Sequence, residues 1–252
     1  MSSLEIALIA FACVFGSALL GLFLRGVLPE HHLSAESKDL LKLGIGLIAT
    51  MSALVLGLLV SSAKGTFDRI SEEQVQTAAK IVVLDRVLAQ YGPETKEIRN
   101  VLRRDVASAV QMLFSEDASV RKKFDTSASV ARGEDLVATI RALSPQNDDQ
   151  RSLKAQALEI SGEVLMARWL LIAQGRSIST PLLVVLVVWL SIIFAGFGLF
   201  AHRNATVVTT LFVCALSVSA ALFMILELDT PLNGLLRVSS APLRNALAHL
   251  GQ

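Results

Sequence analysis

The chain has 252 residues, of which 53% are hydrophobic and 18% are charged, with a mean hydropathy of +0.58 and a formal net charge of +1. Soluble globular domains carry about 25% charged residues, so this composition argues against a soluble protein and favours one embedded in a membrane. The balanced charge also argues against a basic chain that binds nucleic acid.

The excess of apolar residues is concentrated in four runs without a charged residue. They cover residues 6–24, 43–63, 177–201 and 206–226, which are 19, 21, 25 and 21 residues. A helix of about 20 residues crosses a hydrocarbon core about 30 Å thick, so each run can span it. Strands of a membrane barrel would alternate apolar and polar residues, whereas these runs are apolar all round. The predicted fold class is therefore all-α, an integral membrane protein with four transmembrane helices.

The first run is expected to be a retained anchor. No Lys or Arg precedes it, Arg25 follows it, and it is longer than the apolar core of about 7–15 residues in a signal peptide.

The four runs form two pairs that flank a long polar segment. The link within the first pair contains Pro29, which should break a helix there. The link within the second pair is the short turn His202-Arg203-Asn204. The sequence therefore predicts a first transmembrane hairpin over residues 1–63, a helical soluble domain over 64–176, a second hairpin over 177–228 and an amphipathic tail over 229–252.

The polar segment between the pairs carries 17 Lys and Arg against 16 Asp and Glu. Its apolar residues recur at three- and four-residue steps, which predicts helices and no strand. The second membrane helix is expected to continue to Tyr91, where Gly92-Pro93 stops it and Pro93 opens the next helix.

The distribution of positive charge predicts an orientation. With four crossings, both termini and the soluble domain share one side, which carries six Lys or Arg near the membrane against four on the other side. The positive-inside rule then places the termini and the soluble domain in the cytoplasm.

The second run carries small residues at helical spacing. They step along the chain by four, three, four and four positions and are Gly46, Thr50, Ala53, Gly57 and Ser61. This spacing puts them on one face of the helix, which we call the small face. One interpretation is close packing within the helix bundle, which small residues permit. The other is that the face lines a pore in an oligomer, where small residues leave room for an ion.

Acidic residues directly follow the fourth run. Glu227 and Asp229 would lie at a helix C-terminus, where the macrodipole disfavours acids by a few tenths to about 1 kcal/mol each. Arg237 lies shortly downstream, beyond Pro231 and Gly234. We interpret these residues as a structural latch, from Asp229 to Arg237, that folds the tail back. Acids exposed to interfacial water are the alternative.

The C-terminal tail is predicted to form an amphipathic helix. Ser240 is expected to cap it and Pro242 to fit its first turn. Its apolar side consists of Leu243, Ala246, Leu247 and Leu250, which would pack on the protein or lie in the membrane interface.

No sequence motif of an active site is present. The chain has no Walker loop, dinucleotide fingerprint, His-Glu-x-x-His motif or Gly-x-Ser-x-Gly elbow. His31 and His32 are adjacent without further ligands, whereas zinc takes four ligands or three plus water. Cys13 and Cys214 lie inside apolar runs and are interpreted as packing residues. We therefore expect no enzyme, no catalytic residue, no metal and no cofactor.

Residues 226–243 read Leu-Glu-Leu-Asp-Thr-Pro-Leu-Asn-Gly-Leu-Leu-Arg-Val-Ser-Ser-Ala-Pro-Leu. This segment resembles the ending of the DUF4239 family, whose members are also called bestrophin-like domain proteins. The shared pattern is an acid, a Pro, a Gly, an Arg and a Ser pair after the last span. Two hairpins around a helical soluble domain are also similar to that family. Leu232 stands where an aromatic residue is expected.

The resemblance implies a channel, because bestrophins are pentameric anion channels with four spans per subunit. The aromatic residues of the bestrophin pore neck have no counterpart between residues 43 and 63, and the calcium clasp of animal bestrophins has no clear match. No gating or selectivity residue is therefore transferred to this sequence.

These observations lead to two candidate functions. The first is a homo-oligomer, a pentamer by analogy with the family, in the lipid bilayer of the bacterial inner membrane. It would conduct a small ion, expected to be an anion, through a pore lined by the second helix. The second is a non-conducting scaffold or stress sensor whose soluble domain binds a protein partner. A nucleic-acid partner is not expected.

Overall fold

The computed structural model of the chain describes most of its residues. They are residues 2–27, 35–113, 126–173, 178–231 and 234–251. Every regular element in these ranges is helical, and none of the described residues forms a strand. The predicted all-α class is therefore confirmed. Pro29, His31, His32 and Leu232 lie outside the described residues.

The described part of the chain contains eight α-helices, which we number in chain order. They are α1 (Ser3–Val27), α2 (Ala35–Tyr91), α3 (Lys96–Leu113), α4 (Thr126–Arg141), α5 (Asp148–Ala173), α6 (Thr180–Phe200), α7 (Ala205–Leu228) and α8 (Ala241–His249). The helices α1, α2, α6 and α7 are long and apolar enough to cross a membrane. The four predicted spans are thus confirmed, and the protein is an integral membrane protein.

The chain folds into two compact units. The first unit comprises Met1–Phe67 and Arg176–Arg237, and the second comprises Asp68–Gly175 and Val238–Gln252. The long helix α2 contributes its first part to the first unit and its second part to the second unit. The C-terminal tail is likewise divided, because its latch residues belong to the first unit and α8 belongs to the second.

In the first unit, α1 packs against both α6 and α7. The contact between α1 and α6 is close because it is made by glycines. A Cβ at Gly198 would overlap the carbonyl oxygen of Ala18, and a Cβ at Gly21 would overlap that of Ala195. Small residues let membrane helices approach closely, so these two glycines fix the distance between α1 and α6.

The second unit has its own apolar core, to which five helices contribute. Its fully buried members include Leu84, Leu88, Leu102, Ile140 and Ala157. The helix α8 adds Leu243, Ala246 and Leu250 to this core and packs on α3. The amphipathic tail helix is therefore confirmed, and it packs on protein.

The end of α2 is where the sequence predicts it. The helix ends at Tyr91, and Gly92 has a φ of 141°, in the left-handed region that favours glycine. Pro93 opens a 3₁₀ turn, Pro93–Thr95, rather than opening α3 directly. The helix α4 was not predicted as a separate element.

Two expectations about individual residues are wrong. Ser240 is the N-cap residue of α8, but its side chain makes no capping hydrogen bond. Its neighbour Ser239 accepts the backbone N–H of Ala241 through Oγ at 3.2 Å instead. Cys13 and Cys214 are free and exposed on the subunit, so they do not pack inside it.

Candidate functional site

All five residues of the small face of α2 are exposed within the subunit. Among the described residues, no atom lies within 4 Å of where a Cβ at Gly46 or Gly57 would stand. The hydroxyl of Thr50 donates to the carbonyl of Leu47 in the same helix at 2.7 Å, so it needs no partner from another helix. The small face therefore does not pack closely against another helix of its own subunit.

The opposite side of α2 holds the helix against its unit. Its buried residues are Ser52, Leu59 and Ala63. At 100° per residue they lie roughly 140° around the helix from the centre of the small face. The small face consequently points away from the core of the first unit.

Among the four spans, α2 is the one that its own subunit covers least. Only 11% of its most apolar window is buried, against 33% for α1, 33% for α6 and 39% for α7. Large apolar residues form a second exposed strip next to the small face, and they include Leu47, Leu54 and Leu58. The span of α2 thus offers two distinct surfaces to whatever surrounds the subunit.

The acids after the last span are buried rather than exposed to water. Glu227 and Asp229 are 5% and 6% exposed. The carboxylate of Glu227 accepts the backbone N–H of Leu235, and Oδ2 of Asp229 lies 3.4 Å from the backbone N of Ile178, which donates to it. The negative charges of these acids are therefore not stabilised by interfacial water. Backbone N–H groups near the end of the helix stabilise them instead.

The structure brings the remaining latch residues into the same turn. Pro231 is buried, and Nε of Arg237 donates to the carbonyl of Gly234 at 2.9 Å. A Cβ at Gly234 would lie 2.5 Å from Oε2 of Glu227, so a larger residue there would displace the carboxylate. The turn is thus organised around Glu227. The pairing of Asp229 with Arg237 stays a prediction.

Two arginines cap the ends of neighbouring membrane helices. Nη1 of Arg25 donates to the carbonyl of Phe200, the last residue of α6, at 2.8 Å. Arg203 donates from Nε to Leu22 at 3.0 Å and from Nη2 to Phe23 at 3.1 Å, near the end of α1. The carbonyl of Phe200 has no partner within α6, and a cation is favoured near the C-terminal end of both helix dipoles.

Asp105 joins three helices of the second unit. It is 6% exposed, and Oδ1 accepts from Nε of Arg132 on α4 at 3.0 Å. Its other oxygen, Oδ2, accepts from Nη2 of Arg168 on α5. The two arginines are 27 and 63 residues from Asp105 along the chain, so no local spacing pattern in the sequence marks this cluster.

A second buried acid, Asp85, holds the end of the chain. It is 1% exposed and forms a two-pronged pair with Arg99, with both N···O distances at 2.8 Å. The backbone N–H of Gly251 donates to Oδ2 at 3.2 Å. Burial alone would raise the pKa of Asp85, but the hydrogen bonds from Arg99 and Gly251 and the charges of Arg99 and Arg86 lower it. The same pair raises the pKa of Arg99.

We expect the substitution Asp85→Asn to lower the melting temperature by roughly 5 °C near neutral pH, because it removes the buried negative charge that the guanidinium of Arg99 meets at 2.8 Å. The folded pKa of Asp85 lies below the unfolded value of about 4. The carboxylate therefore stabilises the fold above that value, and this contribution is lost as the pH falls through the folded pKa. The difference between wild type and variant should be constant from about pH 7 to 5 and shrink below about pH 4. Melting curves of both proteins across this range test it, and a difference that grows with acid contradicts it.

No group of three or more His, Cys, Asp or Glu in the described ranges is placed to hold a metal ion. The notable features of the described residues are thus the exposed small face of α2, the buried ion pairs and the arginines at helix ends.

Comparison with known proteins gives two matches. A family profile described as Bestrophin-like domain covers residues 11–243, which confirms the resemblance to bestrophin-like proteins. A mutant of a bacterial bestrophin homologue from Klebsiella pneumoniae has a similar fold, with a TM-score of 0.60 at 16% identity, over 97% of this chain and 99% of that one. No curated protein matches the chain. The profile covers nearly the whole sequence, and the chain therefore belongs to the family of proteins with a Bestrophin-like domain.

Proposed function

We propose that this chain is the subunit of an oligomeric ion channel whose pore is lined by the small face of α2. The observation that carries the proposal is the exposure of the whole face within the subunit. A small, weakly polar face that its own subunit leaves uncovered suits an axis shared by several copies. Membership of the Bestrophin-like domain family supports the same function.

The chemistry of the small face suits ion passage. Glycines at positions 46 and 57 leave width on the axis, and their helix turns present carbonyl groups. Ser61 adds a hydroxyl, and no residue of the span carries a charge that would trap an ion. No step of this function needs a catalytic residue, and we propose none.

We propose that the permeant ion is an anion. Between residues 40 and 67 the helix has no Asp or Glu, and Lys42 and Lys64 stand at the two ends of the apolar run. The next acids along the helix, Asp39 and Asp68, lie outside this pair of lysines. Nζ of Lys42 lies 3.0 Å from Oδ1 of Asp39, but both side chains are exposed and water screens the pair. Positive residues at both mouths of an uncharged pore raise the local concentration of anions.

The substitution Gly57→Trp tests the pore. We expect it to reduce chloride flux by about tenfold or more, because an indole from each copy would fill the axis. Flux is measured in proteoliposomes with a chloride-sensitive dye, under a fixed membrane potential. The oligomer is monitored in parallel by size-exclusion chromatography with light scattering and should remain intact.

Leu58→Trp is the matched control. This residue is 61% exposed and lies about 100° around α2 from Gly57, on the strip of large apolar residues. We expect it to leave chloride flux near the wild-type level. Block by Leu58→Trp with normal flux in Gly57→Trp would assign the lining to the other strip. An oligomer that dissociates in every small-face variant would indicate packing between subunits instead of a pore.

We also propose that the protein lies in the bacterial inner membrane with its termini and second unit in the cytoplasm, as its Lys and Arg distribution favours. Protease treatment of sealed, right-side-out vesicles should leave the second unit intact. Cleavage there from outside would reverse the orientation.

The second candidate function is a scaffold that binds a protein partner. A groove of about 500 Å³ lies within the second unit between α2 and α5. Glu73, Glu159 and Glu163 line it together with the exposed apolar residues Met166 and Leu170. Lys80 also lines the groove and pairs with Glu163 at 3.1 Å, so charges of both signs flank the apolar residues. This combination would fit an amphipathic helix of another protein. An intact oligomer without any anion or cation flux would favour this function over a channel.

A further inference from the structure

A cavity of about 470 Å³ opens in the first unit beside the turn that joins α6 to α7. The last turns of α1, the turn itself and the first turn of α7 form its walls. Its lining residues are Leu19, Leu22, Phe23, Arg203, Asn204, Ala205 and Val208. The cavity is therefore apolar along its helical walls and polar at the turn.

The polar end of the cavity is positive. Arg203 uses Nε and Nη2 to cap α1, and within the described part of the chain its Nη1 makes no hydrogen bond. The side chain of Asn204 accepts the N–H of Val207 at 2.8 Å, and the earlier amides of α7 have no acceptor within the helix. A guanidinium and the positive end of a helix dipole thus lie side by side.

The apolar walls of the cavity run into the membrane span. Leu19 lies about 6 Å deeper along α1 than Phe23, and both side chains are exposed, at 41% and 60%. The spans α6 and α7 end and begin at this turn, so Arg203 stands at the level of lipid headgroups. The side chains of Leu19 and Val208 then stand at the level of the acyl chains.

We propose that this cavity binds one anionic phospholipid, with its phosphate against Arg203 and an acyl chain along Leu19, Phe23 and Val208. Arginine holds phosphate oxygens through charge-assisted hydrogen bonds, and the apolar walls bury chain methylenes. A zwitterionic lipid would bring its own cation next to the positive end of the cavity, which disfavours it. The lipid site does not depend on whether α2 lines a pore.

Native mass spectrometry of the purified full-length protein tests the site with phosphatidylglycerol and phosphatidylcholine of identical chains. We expect wild type to retain phosphatidylglycerol about tenfold better than phosphatidylcholine. Arg203→Gln removes the charge, and Ala205→Trp fills the cavity from an exposed position on α7. Each substitution should reduce the ratio of retained phosphatidylglycerol to retained phosphatidylcholine to about one. If Arg203→Gln does not fold because α1 loses its cap, Ala205→Trp decides alone.

Two controls match these variants. Arg25→Gln removes the other capping guanidinium, which does not line the cavity, and Ala220→Trp adds the same bulk at an exposed position elsewhere on α7. Both should keep the wild-type preference. Equal retention of phosphatidylglycerol and phosphatidylcholine by wild type would overturn the proposal. This outcome is expected if a second copy of the chain covers the cavity. An unchanged preference in Ala205→Trp would overturn it as well. Displacement of the lipid by glycerol phosphate at equal concentration would assign the site to free phosphate and also overturn it.

Discussion

The substitution Gly198→Ala should destabilise the membrane unit by about 3 kcal/mol or more, because the added Cβ would overlap the carbonyl oxygen of Ala18. The obstacle is backbone rather than a flexible side chain, so relief requires α1 and α6 to move apart. Their separation would open the core that both helices share with α7. We expect a melting temperature lowered by several degrees in detergent, followed by tryptophan fluorescence, and reduced recovery of the folded protein.

Gly16→Ala is the matched control on the same pair of helices. No described atom lies within 4 Å of the Cβ that this change would add to α1. Alanine is favoured over glycine inside a helix by roughly 0.5–1 kcal/mol, so the melting temperature should stay the same or rise slightly. Equal destabilisation by both substitutions would show that the close contact at Gly198 does not decide the stability.

The substitution Asp105→Ala should lower the stability of the second unit by about 3 kcal/mol. It removes the acid that pairs with Arg132 and Arg168, and the side chain of Arg168 is only 16% exposed. The substitution removes the carboxylate that faces a largely buried guanidinium, and this loss costs more than the pair itself contributes. Thermal unfolding followed by circular dichroism measures the effect.

Asp148→Ala provides the comparison for this prediction. Asp148 also pairs with an arginine, Arg151, but its side chain is 92% exposed. Water and salt screen such a pair, and an acid in the first turn of α5 adds only a few tenths of a kcal/mol, so its removal should lower the melting temperature by about 2 °C at most. Similar losses from both substitutions would mean that burial of Asp105 is not the source of its effect. The loss of stability in Asp105→Asn should lie between those of Asp105→Ala and Asp148→Ala, because the amide still accepts one hydrogen bond but carries no charge.

The features that the sequence by itself determines are local ones. The four spans follow from composition and length, and the end of α2 at Gly92 follows from the chemistry of a Gly-Pro step. The amphipathic helix α8 follows from its periodicity, and the small face of α2 follows from helical spacing. Each of these depends on residues that are at most a few turns apart, so neighbouring positions along the chain carry the whole signal.

Which small residues actually touch another helix was decided by the tertiary structure. Sequence spacing singled out Gly46 and Gly57 on α2, yet the close contact within the subunit is made by Gly21 and Gly198 on α1 and α6. Glycines occur on all three helices, and the pairing of helices distant in the chain selects among them. The burial of Glu227 has the same origin, because its backbone partner becomes available only when the chain turns back on the helix end.

The ion pairs of the second unit depend entirely on long-range folding. Asp105 meets its arginines only because α3, α4 and α5 enclose one core, and Asp85 meets Gly251 only because α8 packs on α3. A buried carboxylate must find its donors wherever the fold brings them, since the cost of leaving it unpaired exceeds any local preference. The sequence therefore determines the helices and their apolar faces. The tertiary structure determines which charges become partners and which surface of α2 stays open.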